Sequence, residues 1–173
     1  YEVMKKMSFY KMNDFHVHLN DNYIWIEDFK DPIEAYSAFR LESKVKGLTS
    51  TDVHYSKQEF AQFIKTSKEL YGVNIVPEID VPAHSLALTK VRPDLVLGLK
   101  HRDAEHLDLS KPEALPFVQS IFAEYVDGKD PVFGDSVVHI GTDEYNKDYA
   151  EVFRKFVDDM IGFLQDKGRT VRM

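Results

Sequence analysis

Apolar positions along the chain fall into two alternating kinds of run. The first kind is short, rich in Val and Ile, and nearly unbroken: Val73-Asn74-Ile75-Val76-Pro77-Glu78-Ile79-Asp80-Val81 and Val137-Val138-His139-Ile140-Gly141. So little polar relief suits strands covered on both faces, as in a parallel sheet. The second kind recurs at helical spacing. Phe60, Phe63, Ile64, Ser67, Leu70 and Tyr71 mark one face of a helix that Ser56 and Glu59 open as a capping box and Gly72 closes. Leu115, Val118, Ile121, Phe122 and Val126 mark a second helix, with Ser110 as its predicted cap, Pro112 and Glu113 in its first turn and Gly128 at its end. Val152, Phe153, Phe156, Val157, Met160, Ile161 and Leu164 mark a third over Tyr149–Lys167, ended by Gly168.

The intervals fit the same alternation. Tyr1–Met7 reads as the tail of a helix, and Phe9–Leu19 as a strand and its approach, closed by the polar Asn20-Asp21-Asn22. Residues 23–55, with Tyr23, Trp25, Phe29, Tyr36 and Phe39, form a long excursion with room for a hairpin, and such loops are often functional. Leu86–Val91 is a short helix stopped by Arg92-Pro93, residues 94–110 are irregular, and Thr170–Met173 opens another strand. Strand and helix alternate from end to end, which predicts an α/β fold with a parallel sheet and right-handed crossovers. A closed barrel takes about 250 residues. With 173 residues, the expectation is a partial (β/α)8 TIM barrel running from about the second strand to the fifth. Residues 1–173 would be the central part of one such domain, incomplete at both ends.

Composition narrows the partners. A formal net charge of −7 argues against nucleic acid, whose phosphates require basic patches. No apolar run approaches the roughly 20 residues of a membrane helix. The absence of cysteine excludes disulfides and thiolate metal sites.

Chemistry collects at the strand tips. In Val137–Tyr145 the side chains of His139, Gly141 and Asp143 share one side, and Glu144 points away unless the strand ends at Gly141 and the backbone turns. The plainer reading makes Asp143 and Glu144 the N-cap and first turn of the next helix. Two other tips carry similar groups, however: His16, His18 and Asp21 after the first strand, and Glu78, Asp80 and His84 after the second. Burying that many polar groups together is too costly to be incidental.

These residues also carry a resemblance. Lys11-Met12-Asn13…His16-Val17-His18-Leu19-Asn20-Asp21, then Val76-Pro77-Glu78-Ile79-Asp80-Val81-Pro82-Ala83-His84-Ser85, then His139-Ile140-Gly141-Thr142-Asp143-Glu144 resemble the three signature segments of the family 20 glycoside hydrolases, the β-N-acetylhexosaminidases and lacto-N-biosidases. Asn22 stands where many members have a second Asp, and Ala83 and Thr142 each replace a common Gly, but none of these departures removes a charged group assigned to the chemistry. The resemblance implies retaining hydrolysis in which the substrate's 2-acetamido oxygen is the nucleophile, an exception to the usual two-carboxylate mechanism. Asp143 would orient the acetamido group and stabilise the oxazolinium. Glu144 would act as general acid and then general base, which calls for a raised pKa. Asp21 and His84 would form a relay behind Glu144, with His18, Asp80 and His139 in support. The implied partners are N-acetylhexosamine-containing glycans, met outside the cell or at its surface, with no metal and no cofactor.

Two other functions compete. His16-Val17-His18 resembles the His-x-His of metal-dependent amidohydrolase barrels, with His84, His139 and Asp143 available to complete a site. A glycan-binding module without turnover is the other, and Trp25 would then pack its loop or wall an outer subsite. A barrel segment also leaves two sheet edges open to pairing with another chain. Residues 1–173 alone are therefore expected to self-associate or to be unstable, and a monodisperse monomer by light scattering at high concentration, with a cooperative melt, would contradict this.

Overall fold

Helix α1 (Glu2–Phe9) ends where Lys11 takes a positive φ of 58° and Met12 donates back to the Met7 carbonyl. That turn delivers strand β1 (Asp14–His18), so Phe9 closes the helix and the strand starts later than the apolar pattern implies. The computed structural model describes residues 1–173, the side chain of His101 excepted. The long excursion does hold a hairpin: β2 (Asn20–Asn22) pairs antiparallel with β3 (Ser37–Phe39), with two 3-10 turns between them. Trp25 stands 55% exposed at the first of these turns and so does not pack the loop.

Helix α2 (Lys57–Tyr71) opens on the expected capping box, with Ser56 accepting from the Glu59 amide and Glu59 from the Ser56 amide, and closes on Gly72 at φ 66°. Next come β4 (Asn74–Val81), α3 (Leu86–Val91), α4 (Ala114–Val126), β5 (Val138–Gly141), α5 (Ala150–Asp166) and β6 (Val171–Arg172). Helix α4 starts at Ala114 and not at Ser110, because the Ser110 amide and hydroxyl both turn to the Asp108 carboxylate. The main sheet runs β1-β4-β5-β6, every pair parallel, with a helical crossover between neighbours. This is an open segment of a (β/α)8 barrel.

Two-residue periodicity sorts the sheet's side chains. Phe15, Val17, Ile75, Ile79, Val81, Val138 and Ile140 pack into one core with Phe60, Phe122, Met160 and Leu164 of the helices. The opposite face receives His16, His18, Glu78, Asp80 and His139. Two positions assigned to the helices' inner faces point outward, Leu70 (72% exposed) and Val152 (37%). The inner line of α2 runs through Phe60, Ile64, Ser67 and Tyr71, which leaves Leu70 one position off it.

Gly141 ends β5 at φ 67°, and a Cβ there would lie 1.9 Å from Asp80 Oδ1 and 2.6 Å from the Asp80 Cα. The backbone of β4 cannot yield that space. Gly141→Ala is therefore expected to cost about 2–4 kcal/mol from overpacking and left-handed strain together, read as a lowered urea midpoint.

Candidate active site

Each parallel strand contributes through the residues at and just past its C-terminal end. At β5 the backbone leaves the sheet at Gly141, and Thr142 and Glu144 adopt positive φ values of 81° and 49°. The strand has ended, so Glu144 is not forced to the side opposite Asp143. Nor do these acids start a helix. The next turn begins at Lys147 and is capped by Asn146, whose side chain accepts from the Asp148 amide at 3.0 Å.

A continuous polar row runs from the sheet face to this tip. Glu78, buried, faces His16 Nε2 at 2.6 Å and His18 Nδ1 at 3.0 Å, with His139 Nδ1 at 3.7 Å. His18 Nε2 lies 3.3 Å from Asp21 Oδ2, Asp21 Oδ1 lies 3.0 Å from His84 Nδ1, and His84 Nε2 lies 3.4 Å from Glu144 Oε2. The strand tips thus bring together Asp21, His84 and Glu144, and extend the row back through His18 to Glu78. His139 sits beside the row, its Nδ1 accepting from the Gly141 amide at 3.0 Å. Asp143 projects exposed next to Glu144. A cavity of 280 Å³ opens between the hairpin and β1, lined by His18, Asp21, Asn22, Tyr36 and Arg40. A 390 Å³ cavity lies at the opposite ends of the strands, by Asp14, Asn74 and Arg172, away from these groups.

Charge within the row follows from its contacts. Hydrogen bonds to Asp21 and Glu78 push the His18 imidazole up to about 10. Burial pushes the Asp21 carboxyl up, but bonds to His18 and His84 outweigh it and leave it well below its ordinary value. Burial of Glu78 is likewise outweighed, by His18 first, and its net direction is down. Asp21 raises His84, and burial lowers His139. Glu144 departs from the expectation. Its side chain is 60% exposed, and the Arg102 guanidinium, bonded to it at 3.0 Å, holds its pKa below the ordinary value instead of raising it.

Further residues hold these groups in place. Asn20 is buried, and its carboxamide accepts from the Asp80 amide (2.8 Å) and donates to the Asp80 and His84 carbonyls (2.9 and 3.1 Å). Asp80 Oδ1 accepts from the Thr142 amide at 3.0 Å. The irregular residues 94–110 supply Arg102, a fully buried Glu105, and His106, whose ring nitrogens lie 2.6 Å from the Arg102 carbonyl and 3.3 Å from the Glu144 carbonyl. Asn20 was marked by closing a strand and by lying in the first of the resembling segments, whereas nothing in the local pattern marks Arg102.

Two sets of three potential metal donors lie together among the described residues, His16–Glu78–His139 and His18–Glu78–Asp80. His84 and Asp143 belong to neither set. Much of their donor capacity is already engaged, since Glu78 binds both His16 and His18, and the Gly141 amide occupies His139 Nδ1.

The profile of "Glycosyl hydrolase family 20, catalytic domain" matches residues 1–168. A β-hexosaminidase of Akkermansia muciniphila is 30% identical over 153 residues, covering 80% of this chain and 29% of its own length. A lacto-N-biosidase of Bifidobacterium bifidum is 27% identical, over 69% of this chain and 12% of its own. Among solved structures, a β-N-acetylhexosaminidase of Streptomyces coelicolor superposes on 98% of the chain with a TM-score of 0.74 at 19% identity, covering 34% of that protein. One from Bacteroides fragilis gives 0.71 at 22% identity, again over 98% of the chain and 36% of the other. The chain thus spans under a third of the length of these curated relatives.

Asp80 yields a test of the site's electrostatics. Burial pushes its carboxyl up to about 7, and its Oδ2 has no hydrogen-bond partner among the described residues. An acid raised on folding contributes stability at low pH that is lost as pH climbs from the ordinary carboxylate range through about 7. Asp80→Asn removes that titration while leaving an oxygen for Thr142. Relative to the parent, the variant should therefore gain about 1–3 kcal/mol between pH 5 and pH 8, measured by urea unfolding at both. A difference that does not change with pH would show that Asp80 stays ionised.

Proposed function

The chain belongs to glycosyl hydrolase family 20, and on that premise we propose that the protein carrying it releases terminal β-linked N-acetylhexosamine from glycans with retention of configuration. The observation that carries the proposal is the unbroken row Asp21–His84–Glu144, which ends beside Asp143 at a strand tip. C-terminal strand ends are where barrels of this class keep their chemistry. Glu144 gives its proton to the glycosidic oxygen as the bond to the anomeric carbon breaks. The acetamido carbonyl oxygen attacks that carbon, closing an oxazolinium ring. Asp143 accepts from the acetamido N–H and stabilises the positive charge that develops. Water then attacks the anomeric carbon, Glu144 takes its proton, and the ring reopens.

The supporting groups have separate tasks in this reading. His84, oriented by Asp21, holds Glu144 and helps return its proton. His18 keeps Asp21 ionised and fixed, and Glu78 does the same for His18. Asp80 and His139 brace the β5 tip through the Thr142 and Gly141 amides.

Glu144→Gln tests the assignment in a polypeptide that holds this chain within a closed barrel. The change is nearly isosteric, so substrate binding should persist. Turnover of a natural glycan should fall by about 10²–10⁴, while an aryl glycoside with a good leaving group, which needs little protonation, should lose far less. Equal losses on both substrates would contradict the acid role. Rapid cleavage of glucosides with a free 2-hydroxyl would contradict the acetamido nucleophile.

A further inference from the structure

Glu105 is fully buried in a loop that has no strand or α-helix of its own. It is held from two sides, by the Asn22 carboxamide of the hairpin and by Arg102 Nε. From that anchor the Arg102 guanidinium reaches forward to Glu144 Oε2 at 3.0 Å. The oxygen it meets is the one that faces His84 at 3.4 Å, so a guanidinium and an imidazole from different loops meet at the same Oε2. An arginine fixed to a buried carboxylate is placed more firmly than a free surface side chain, and it favours the ionised form of its second partner. The proposed mechanism requires Glu144 to hold a proton when the glycosidic oxygen arrives. The two demands are compatible only if the grip is confined to the substrate-free site. Both side chains are open to an incoming sugar, Arg102 at 39% and Glu144 at 60% exposure.

We propose that Arg102 is a positioning residue: anchored on Glu105, it holds the substrate-free Glu144 carboxylate by Oε2 and lets go when the leaving-group side of a glycan enters. The inference rests on the reading of Glu144 as proton donor. Among the described residues, the titratable and charged groups facing Glu144 are His84 and, through it, Asp21; Arg102 and, through it, Glu105; His106 at its carbonyl; and Asp143 next in sequence. Removing Arg102 takes away the guanidinium bonded directly to Glu144, leaving the His84 imidazole as the partner of Oε2.

Arg102→Gln and Arg102→Lys, made within a closed barrel, test this with two independent readouts. The first is the carboxyl-carbon NMR titration of Glu144, assigned with Glu144→Gln. Its midpoint should rise by about half a pH unit in Arg102→Gln, the size expected for a part-exposed ion pair, and return part of the way in Arg102→Lys. The second is kcat/KM against pH on a substrate with a poor leaving group. Its basic limb reports Glu144 in the free enzyme and should move up by the same amount. A midpoint unmoved in Arg102→Gln overturns the inference, whatever Glu144 does. So does a uniform loss of rate at every pH with the limb in place, the mark of a purely structural role. A midpoint that rises while the limb stays put confirms the Arg102 contact and overturns the reading of Glu144 as donor.

Discussion

Asn20 uses its entire carboxamide on the backbone of its neighbours, and much of the site depends on it. One side chain, buried at the start of β2 just past β1, fixes both the amide and the carbonyl of Asp80 and the carbonyl of His84. Asp80 in turn holds the Thr142 amide, so the tips of three strands are tied through two side chains. Backbone groups freed where strands end must find partners, since an unpaired buried amide or carbonyl costs about 1–3 kcal/mol. Here that requirement and the placement of Asp21, His84 and Glu144 are met by the same bonds. Gly141 completes the arrangement by lacking the one atom that would collide with Asp80.

Around that clamp the sheet separates two chemistries by alternation alone. Apolar residues face the helices and build the core, while imidazoles and carboxylates face the other way and satisfy one another. Within the row His18 and His84 each lie between two carboxylates, and Asp21, Glu78 and Glu144 each face at least two donors, so orientation there comes from the row as a whole. Asp80 is the exception: among the described residues its carboxylate is held only by the Thr142 amide.

Much of this was legible beforehand because it follows from period and punctuation. The capping box at Ser56 and Glu59, the Gly72 closure, the parallel order and the three polar tips are local signals with local causes. The failures are equally physical. Leu70 satisfied a helical spacing count yet fell off the inner line by one position, an error no count over a short window resolves. Ser110 had the identity of a cap, but Asp108 competed for its hydroxyl. Arg102 and Glu105 lie in a stretch without periodicity, and their importance comes from Asn22, 83 positions from Glu105, and Glu144, 42 positions from Arg102, contacts that only the folded chain creates. The low pKa of Glu144 was missed for the same reason: its cause is a neighbour in space.

The row from Glu78 to Glu144 has a consequence for how this protein answers to acid. Adjacent members share hydrogen bonds, so gaining or losing a proton at one site changes the affinity at the next. Such a set titrates with coupling, so the midpoint read at Glu144 carries the influence of its neighbours. Glu78, buried at the far end of the row, is therefore linked to the protonation of Glu144 through His18, Asp21 and His84. A change of acidity is felt along the whole depth of the strand ends, and the exposed Glu144 carboxylate is only the last place where it is expressed.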